Sequence, residues 1–132
     1  MKIIGVTSSQ REEFIDVTHL IEEAIRESGV DEGAVICFVP HTTAGITINE
    51  AADPDVRRDI LDKLRRLIPQ QDDYRHVEGN SDAHLKASLM GSSLHLPVQA
   101  GKPVLGRWQG VYFCEFDGPR NRQLIVKVGR FA

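Results

Sequence analysis

The spacing of apolar and polar positions predicts mostly strands and three helices. Alternation of apolar and polar residues, or a short apolar run between turn residues, is typical of a strand, whereas apolar residues three and four positions apart are typical of a helix. The strand pattern covers residues 2–7, 11–17, 33–39, 44–49, 94–98, 104–116 and 123–129. The helical pattern runs from Asp16 or Thr18 to Gly29, from Asp53 to Pro69, and over 81–90.

Two of these elements carry stronger signals than the others. Asp53 followed by Pro54 predicts a helix start, because Asp is a favoured N-cap and Pro suits the first helical position. The unbroken apolar run over 34–39 predicts a strand that is buried on both faces. Residues 70–80 have neither period and are rich in ionisable groups, which predicts a loop.

The order of these elements predicts an α+β fold with a largely antiparallel sheet. Most strands are joined by short turns, with 117–122 closing the last hairpin, and there is no regular strand–helix alternation or Gly-rich phosphate loop. The chain has 132 residues. We therefore expect a single domain over 1–132.

Charge and composition exclude several classes of protein. The net charge of −3 gives no general attraction to nucleic acid or to an anionic membrane. No apolar run approaches the roughly 20 residues of a membrane span. Cys37 and Cys114 lie in apolar strand patterns, which predicts buried, reduced thiols in a cytoplasmic protein, although a disulfide between neighbouring strands is the alternative.

Three of the five histidines are candidate metal ligands. His41 directly follows a predicted strand, His76 lies in the 70–80 loop and His84 lies on the third predicted helix. Three imidazoles with one open position form the pattern of catalytic zinc. None of them has the spacing of a metalloprotease helix, so each is open to a structural interpretation. His19 and His95 are predicted to face solvent.

A second group of polar residues suits an oxyanion. Lys86 lies two positions after His84, Ser92 follows a glycine that ends the helix, and Arg120 flanks the Gly118-Pro119 turn. Ammonium, hydroxyl and guanidinium groups are those that hold a phosphate. The alternative is an ordinary helix end and a solvated hairpin loop.

The order of several motifs resembles one known family. These motifs are His41-Thr42-Thr43-Ala44, Asn49-Glu50, Asp53-Pro54, Tyr74-Arg75-His76, 80–88, 106–110 and 115–120. The chain resembles the YjbQ-like family, often labelled secondary thiamine-phosphate synthase. The resemblance implies an α+β homotrimer with a cleft near a subunit boundary, in which His41, His76 and His84 hold a divalent metal. Zinc is the metal expected, and magnesium suits a diphosphate substrate.

The resemblance also implies an enzyme that joins hydroxymethylpyrimidine diphosphate to thiazole phosphate. In this hypothesis the substrate is a small phosphorylated metabolite and the catalytic residues are Glu50, Asp53 and Lys86. The substrate-binding residues are Thr42, Asn49, Ser92, Gln109 and Arg120. A zinc-dependent hydrolase and a non-enzymatic, trimeric metal- or metabolite-binding protein are the alternatives.

Overall fold

Eight strands and three helices form the protein in a computed structural model that describes residues 1–131. The helices are α1 (Thr18–Ser28), α2 (Pro54–Leu67) and α3 (Ser81–Met90). The strands are β1 (Lys2–Thr7), β2 (Glu13–Asp16), β3 (Gly33–Phe38), β4 (Ala44–Glu50), β5 (Ser93–Gln99), β6 (Lys102–Pro103), β7 (Gln109–Glu115) and β8 (Asn121–Arg130).

All of the strand pairs are antiparallel, which confirms the predicted α+β fold class. One sheet has five strands in the order β1-β8-β3-β5-β6, and the other has three in the order β2-β7-β4. The long β7–β8 hairpin links the two sheets, because β7 lies at the centre of the smaller sheet and β8 lies between β1 and β3 in the larger one.

The smaller sheet is covered on both faces. One face packs with α1 against the inner face of the five-stranded sheet, where Val111 and Phe113 of β7 join the main apolar core. The opposite face packs against α2 and α3, where Tyr112 and Cys114 of the same strand join a second apolar core. The alternating side chains of β7 thus connect two cores.

The prediction that residues 33–39 form a strand buried on both faces is wrong. Val35 and Cys37 are buried, but Ile36 is 52% exposed and Phe38 is 41% exposed. The burial of β3 alternates, as it does in any strand of a sheet that packs one face on the core and exposes the other. The sequence conceals this alternation because the outward positions are apolar too.

Two predicted strands are shorter in the structure. Residues 104–108 of the predicted 104–116 strand instead lead into a turn, in which the Gln109 N–H donates to the Gly106 carbonyl and the Gln109 side-chain oxygen accepts from the Gly106 N–H. The strand predicted over 11–17 occupies only Glu13–Asp16.

The predicted helix starts and stops agree well with the structure. Asp53 is the N-cap of α2, and its carboxylate accepts a hydrogen bond from the Asp55 N–H at 2.9 Å. Asp16 accepts from the Thr18 N–H at the start of α1, and Gly29 ends that helix with a left-handed φ of 70°. In α3, Gly91 follows the last helical residue as predicted.

Helix α3 buries two charged residues beside its small apolar residues Ala83 and Ala87. Its charged residues Asp82 and Lys86 are buried, whereas Leu85 and Leu89 are exposed. An ordinary surface helix buries an apolar stripe. Both buried ion pairs and apolar contacts therefore join α3 to the rest of the fold.

The close approach of β4 to the end of α3 requires a glycine. A Cβ added to Gly45 would lie 2.7 Å from the Gly91 carbonyl oxygen and 3.1 Å from the Met90 Cβ. The Ile46 N–H donates to the same Gly91 carbonyl. The absence of a side chain at Gly45 thus lets strand and helix come into direct backbone contact.

The outer face of the five-stranded sheet is apolar in places. Ile3, Ile36 and Phe38 are all substantially exposed there. Exposed apolar patches are typical of interaction surfaces. The homotrimer implied by the family resemblance stays a prediction.

Cys37 and Cys114 are free, buried thiols, so the disulfide alternative is wrong. Burial raises the pKa of the Cys37 thiol to about 12 and raises that of Cys114 further. Within residues 1–131, no helix has both the length and the apolar character needed to cross a membrane.

Candidate ligand groove

A groove of about 460 Å³ lies between α3 and the segment that joins β3 to β4. Its polar lining consists of the imidazoles of His41 and His84 and the hydroxyl-bearing residues Thr42, Ser88 and Ser92. Small residues, Ala44, Ala87 and Gly91, complete the lining. Ligand sites in proteins commonly have volumes of roughly 300–1,000 Å³.

The His41 ring is held by a backbone contact from β8. Its Nε2 accepts a hydrogen bond from the Gln123 N–H at 2.9 Å. Burial and the positive charge of Arg122 hold the pKa of His41 below its ordinary value of 6.5. The neutral ring therefore carries its proton on Nδ1, and its remaining polar group is a hydrogen-bond donor.

Beneath His41, a buried ion pair fixes the residues that follow it. Arg122 donates to both carboxylate oxygens of Glu115 and also to the Thr43 hydroxyl, the latter at 2.8 Å. Although burial alone would raise the pKa of Glu115, hydrogen bonds from Arg122 and Ser8 hold it below its ordinary value. The pair is thus charged, and it holds the segment that carries His41 and Thr42.

His84 differs from His41 in having a free ring. Within residues 1–131 its imidazole has no hydrogen-bond partner, although its carbonyl accepts from the Ser88 hydroxyl at 2.9 Å. The ring lies edge-on to that of His76, with the ring centroids 5.4 Å apart. Both nitrogens of His84 are therefore available to a ligand.

His76 lies at the end of a polar chain that includes Arg120. The His76 Nε2–H donates to the Asn80 side-chain oxygen at 3.0 Å, and the Asn80 amide donates to Asp117 at 2.9 Å. Arg120 donates to the same Asp117 carboxylate oxygen at 3.0 Å, while its side chain stays 54% exposed. Arg120 is thus oriented by Asp117 on the same side of the molecule as His76.

The structure brings the three predicted metal-binding histidines into one region but not into one ligand set. His84 is shared between the groove and the neighbouring surface around His76, whereas the His41 Nε2 is already occupied by Gln123. No group of three His, Cys, Asp or Glu residues in the described part of the chain is placed to hold a metal ion. The arrangement does not fit a three-histidine zinc centre, and binding of zinc or magnesium stays a prediction.

Four other predicted site residues lie at the opposite end of β4. This strand leads away from the groove, and its six residue steps from Ala44 to Glu50 span roughly 20 Å. Glu50, Asn49, Asp53 and Gln109 each accept a hydrogen bond from a backbone N–H of their own turn. Their side chains therefore stabilise turns and do not line the groove.

Lys86 is also absent from the groove. It is only 1% exposed, and its ammonium donates to Glu12 at 2.9 Å and to Asp82 at 2.8 Å. The predicted contact between Lys86 and a diphosphate is not available in this structure, because the ammonium is enclosed by its own partners. Of the predicted substrate-binding residues, Thr42 and Ser92 line the groove.

Several residues that line this region were absent from the predicted site. Ser88 lies in the groove, and Tyr74, Arg75 and Leu85 surround His76 and His84. The signal that could have found them was the ionisable 70–80 loop beside the third helix. Sequence spacing alone does not show that this loop folds back onto α3.

Comparison with known proteins assigns the chain to a family. The family model described as "UPF0047 protein YjbQ-like" matches residues 2–130. The chain belongs to the UPF0047 (YjbQ-like) family. This confirms the family resemblance noted in the sequence.

Relatives and solved structures agree with this assignment. A UPF0047 protein of Methanocaldococcus jannaschii is 53% identical over 93% of this chain and 89% of its own length. The UPF0047 protein YugU of Bacillus subtilis is 46% identical over 97% of this chain and 98% of its own length. The crystal structure of a family member from Clostridium acetobutylicum has a TM-score of 0.96 and 55% identity, and covers 98% of this chain and 100% of that one.

The predicted reaction, a metal-dependent thiamine-phosphate synthesis, is wrong as an assignment for this UPF0047 protein. The relatives just described are named by family alone, and the C. acetobutylicum protein is described as uncharacterized. A further structural relative from Sulfolobus solfataricus, with a TM-score of 0.92 and 33% identity, is described as a protein of unknown function. None of these names carries a synthase activity or a metal-dependent reaction, and the zinc hydrolase alternative has no support from them either.

The fixed state of His41 leads to a prediction about pH. The pKa of His41 is lower in the folded protein than in the unfolded chain, so the unfolded chain binds the proton first as the pH falls. The stability that the neutral ring contributes is therefore present above about pH 6.5 and decreases as the pH falls below that value. His41→Gln keeps an acceptor for the Gln123 N–H but cannot titrate. We expect this variant to lose less stability than the wild type between neutral and mildly acidic pH, as measured by urea unfolding.

The matched control for this experiment is His95→Gln, since His95 is exposed on β5. The control should retain the pH dependence of the wild type. An unchanged pH dependence in His41→Gln would contradict the assigned state of the His41 ring.

Proposed function

We propose that the groove binds a small metabolite through an oxyanion group, such as a phosphate or a carboxylate. The observation that carries the proposal is the chemistry of the lining. In the described part of the chain it combines two imidazoles with three hydroxyl-bearing residues and includes no acidic side chain. The protein as a whole has a net charge of −3, so a lining free of carboxylates is a local property of this surface.

Most polar groups of the lining are suited to an acceptor-rich ligand. Thr42 and Ser92 carry hydroxyls that can donate to an oxyanion, and the free proton-bearing nitrogen of the neutral His41 ring is a donor as well. The Ser88 hydroxyl already donates to the His84 carbonyl, so Ser88 offers its oxygen rather than a free donor. His84 is unpaired within residues 1–131 and becomes a cation when protonated. A cationic ligand would find no negative side chain here, which favours an anion.

Titration with inorganic phosphate tests this proposal. Saturable changes in the amide NMR signals of Thr42, Ser88 and Ser92 are expected, at constant ionic strength set with sodium chloride. Thr42→Val removes one hydroxyl donor, which should weaken binding roughly fivefold, since one hydrogen bond contributes about 1 kcal/mol. Acetate in place of phosphate separates a carboxylate site from a phosphate site.

Thr47→Val is the matched control, because Thr47 lies on β4 beyond the groove. Its affinity for phosphate should equal that of the wild type. The proposal fails if neither anion gives a saturable change, or if Thr42→Val and Thr47→Val bind phosphate equally well.

A further inference from the structure

A separate cleft of about 360 Å³ lies between residues 10–14, which include the start of β2, and the α2 residues from Arg57 to Arg65. It shares no lining residue with the groove beside α3. Three arginines of α2 contribute to its lining, together with the apolar residues Phe14 and Leu61. This arginine cleft has the volume of a small ligand site, and none of the predicted site residues lies in it.

The carboxylates of the arginine cleft already have partners. Arg65 donates to Glu12 at 3.0 Å and to Asp62 at 2.9 Å. Glu13 accepts a hydrogen bond from the Ser9 N–H at 2.9 Å. The acidic groups of the lining are thus engaged by donors of the chain itself, and Arg65 is engaged by two of them.

Arg57 differs from the other arginines of the cleft because it has no carboxylate partner. Within residues 1–131 it forms no ion pair, whereas Arg58 pairs with Asp55 at 3.0 Å. One N–H of Arg57 donates to the Phe14 carbonyl at 3.2 Å, and its guanidinium lies over the Tyr112 ring, 5.5 Å from the centroid. These contacts orient the guanidinium without neutralising its charge. A guanidinium has five N–H donors, so Arg57 has donors left for an anion.

The open edge of β2 offers a main-chain donor beside this guanidinium. β2 pairs with β7 alone, so its other edge has no strand partner within residues 1–131. The Val17 N–H donates to the Val111 carbonyl, in the register that continues through Ile15 of β2. Because alternate residues of an antiparallel strand face the partner strand, Ile15 faces β7 and Phe14 faces the open edge. The Phe14 carbonyl is occupied by the guanidinium, so the Phe14 N–H is the main-chain group that remains for a ligand.

We propose that the arginine cleft binds the C-terminal carboxylate of an extended peptide. The Phe14 N–H and the Arg57 guanidinium are both donors, and they are neighbours because Arg57 contacts the carbonyl of the same residue. A peptide strand that continued along β2 would need a free carbonyl as well as a free N–H at each edge residue. A peptide that ends here needs donors only, because its last group is a carboxylate, for which a guanidinium is the preferred partner.

Titration with two peptides tests the inference, followed by the NMR signals of the Phe14 N–H and the Arg57 Nε–H at constant ionic strength. The peptides are acetyl-Val-Thr-Val with a free C-terminal carboxylate and the same sequence with a C-terminal amide. Their β-branched residues favour an extended conformation. We expect the acid to bind about tenfold more tightly than the amide, a difference of about 1.4 kcal/mol, because hydrogen bonds to a charged group are the stronger ones.

Two arginines of α2 provide a matched pair of variants. Arg57→Gln keeps a side-chain donor for the Phe14 carbonyl but removes the charge, and should abolish the preference for the acid over the amide. Arg66→Gln makes the same change of charge at an exposed position of the same helix outside the cleft, and should keep that preference. Thr42→Val, which alters the groove, should leave the affinity for the acid unchanged.

Four results would overturn the inference. The first is equal affinity of the wild type for the acid and the amide, which is measured without any variant. The second is an equal loss of preference in Arg57→Gln and Arg66→Gln. The third is a loss of affinity for the acid in Thr42→Val, which would place the peptide in the groove. The fourth is equally tight binding of acetyl-Val-Asp-Val amide, which carries its carboxylate on a side chain and has no free terminus.

Discussion

Replacement of Lys86 by methionine is expected to lower the free energy of unfolding by about 3–5 kcal/mol, the usual result of removing one partner from a buried ion pair. The ammonium is 1% exposed and contacts both Glu12 and Asp82. Arg11 donates to both oxygens of Asp82, and Arg65 donates to Glu12. The substitution leaves two buried carboxylates with fewer cations, and the melting temperature should fall by about 10–20 °C.

The pH dependence of Lys86→Met gives a second measurement. Although burial alone would raise the pKa of Asp82, hydrogen bonds from Arg11 and Lys86 hold it below its ordinary value of 3.8. The stability that the charged Asp82 contributes is thus present above that pH and is lost as the pH falls below it. Loss of Lys86 should move acid unfolding to higher pH.

Lys63→Met is the appropriate control, because Lys63 is exposed on α2. Thermal unfolding of this control should resemble that of the wild type. Equal melting temperatures for Lys63→Met and Lys86→Met would show that α3 is not held by its buried charges.

The second large effect is expected for Glu115→Gln. The Glu115 carboxylate accepts hydrogen bonds from the Ser8 hydroxyl, from the backbone N–H groups of Phe116 and Asp117, and from two nitrogens of Arg122. Glutamine keeps the shape but removes the charge and places an amide donor among other donors. We expect a loss of about 3–5 kcal/mol in the free energy of unfolding, measured by urea denaturation.

Coupling to Arg122 distinguishes this explanation from a general loss of packing. In a double-mutant cycle, Arg122→Met combined with Glu115→Gln should destabilise by clearly less than the sum of the two single changes. Glu27→Gln, which alters an exposed ion pair with Lys2, should leave the unfolding midpoint nearly unchanged. Simple additivity of Glu115→Gln and Arg122→Met would contradict the ion-pair interpretation.

Local signals in the sequence predicted the elements of the fold well, and burial less well. The Asp53-Pro54 start of α2 depends on neighbouring residues, so the sequence contains all that is needed to predict it. The burial of β3 and β7 depends on which sheets cover each face. Ile36 and Phe38 are as apolar as core residues, yet nothing in residues 1–131 packs over them as a core.

The candidate site was predictable only in part for a related reason. His41 and His84 were expected to converge, and they do line one groove. Glu50 is close to His41 in sequence, but an extended strand carries it away. Lys86 has the pattern of a surface lysine, and its partner Glu12 is 74 residues distant in the chain.

The backbone contact at Gly45 has a consequence for the selection of ligands. The groove side is fixed by main-chain hydrogen bonds, from Ile46 to Gly91 and from Val39 to Ser92, and by direct contact at Gly45. The neighbouring surface around His76 is carried by the 70–80 loop, which side-chain hydrogen bonds such as that from Gln70 to Gly79 hold in place. We therefore expect the groove to discriminate strictly between anionic groups, whereas the surface around His76 adjusts more readily to the parts of a ligand that extend beyond the groove.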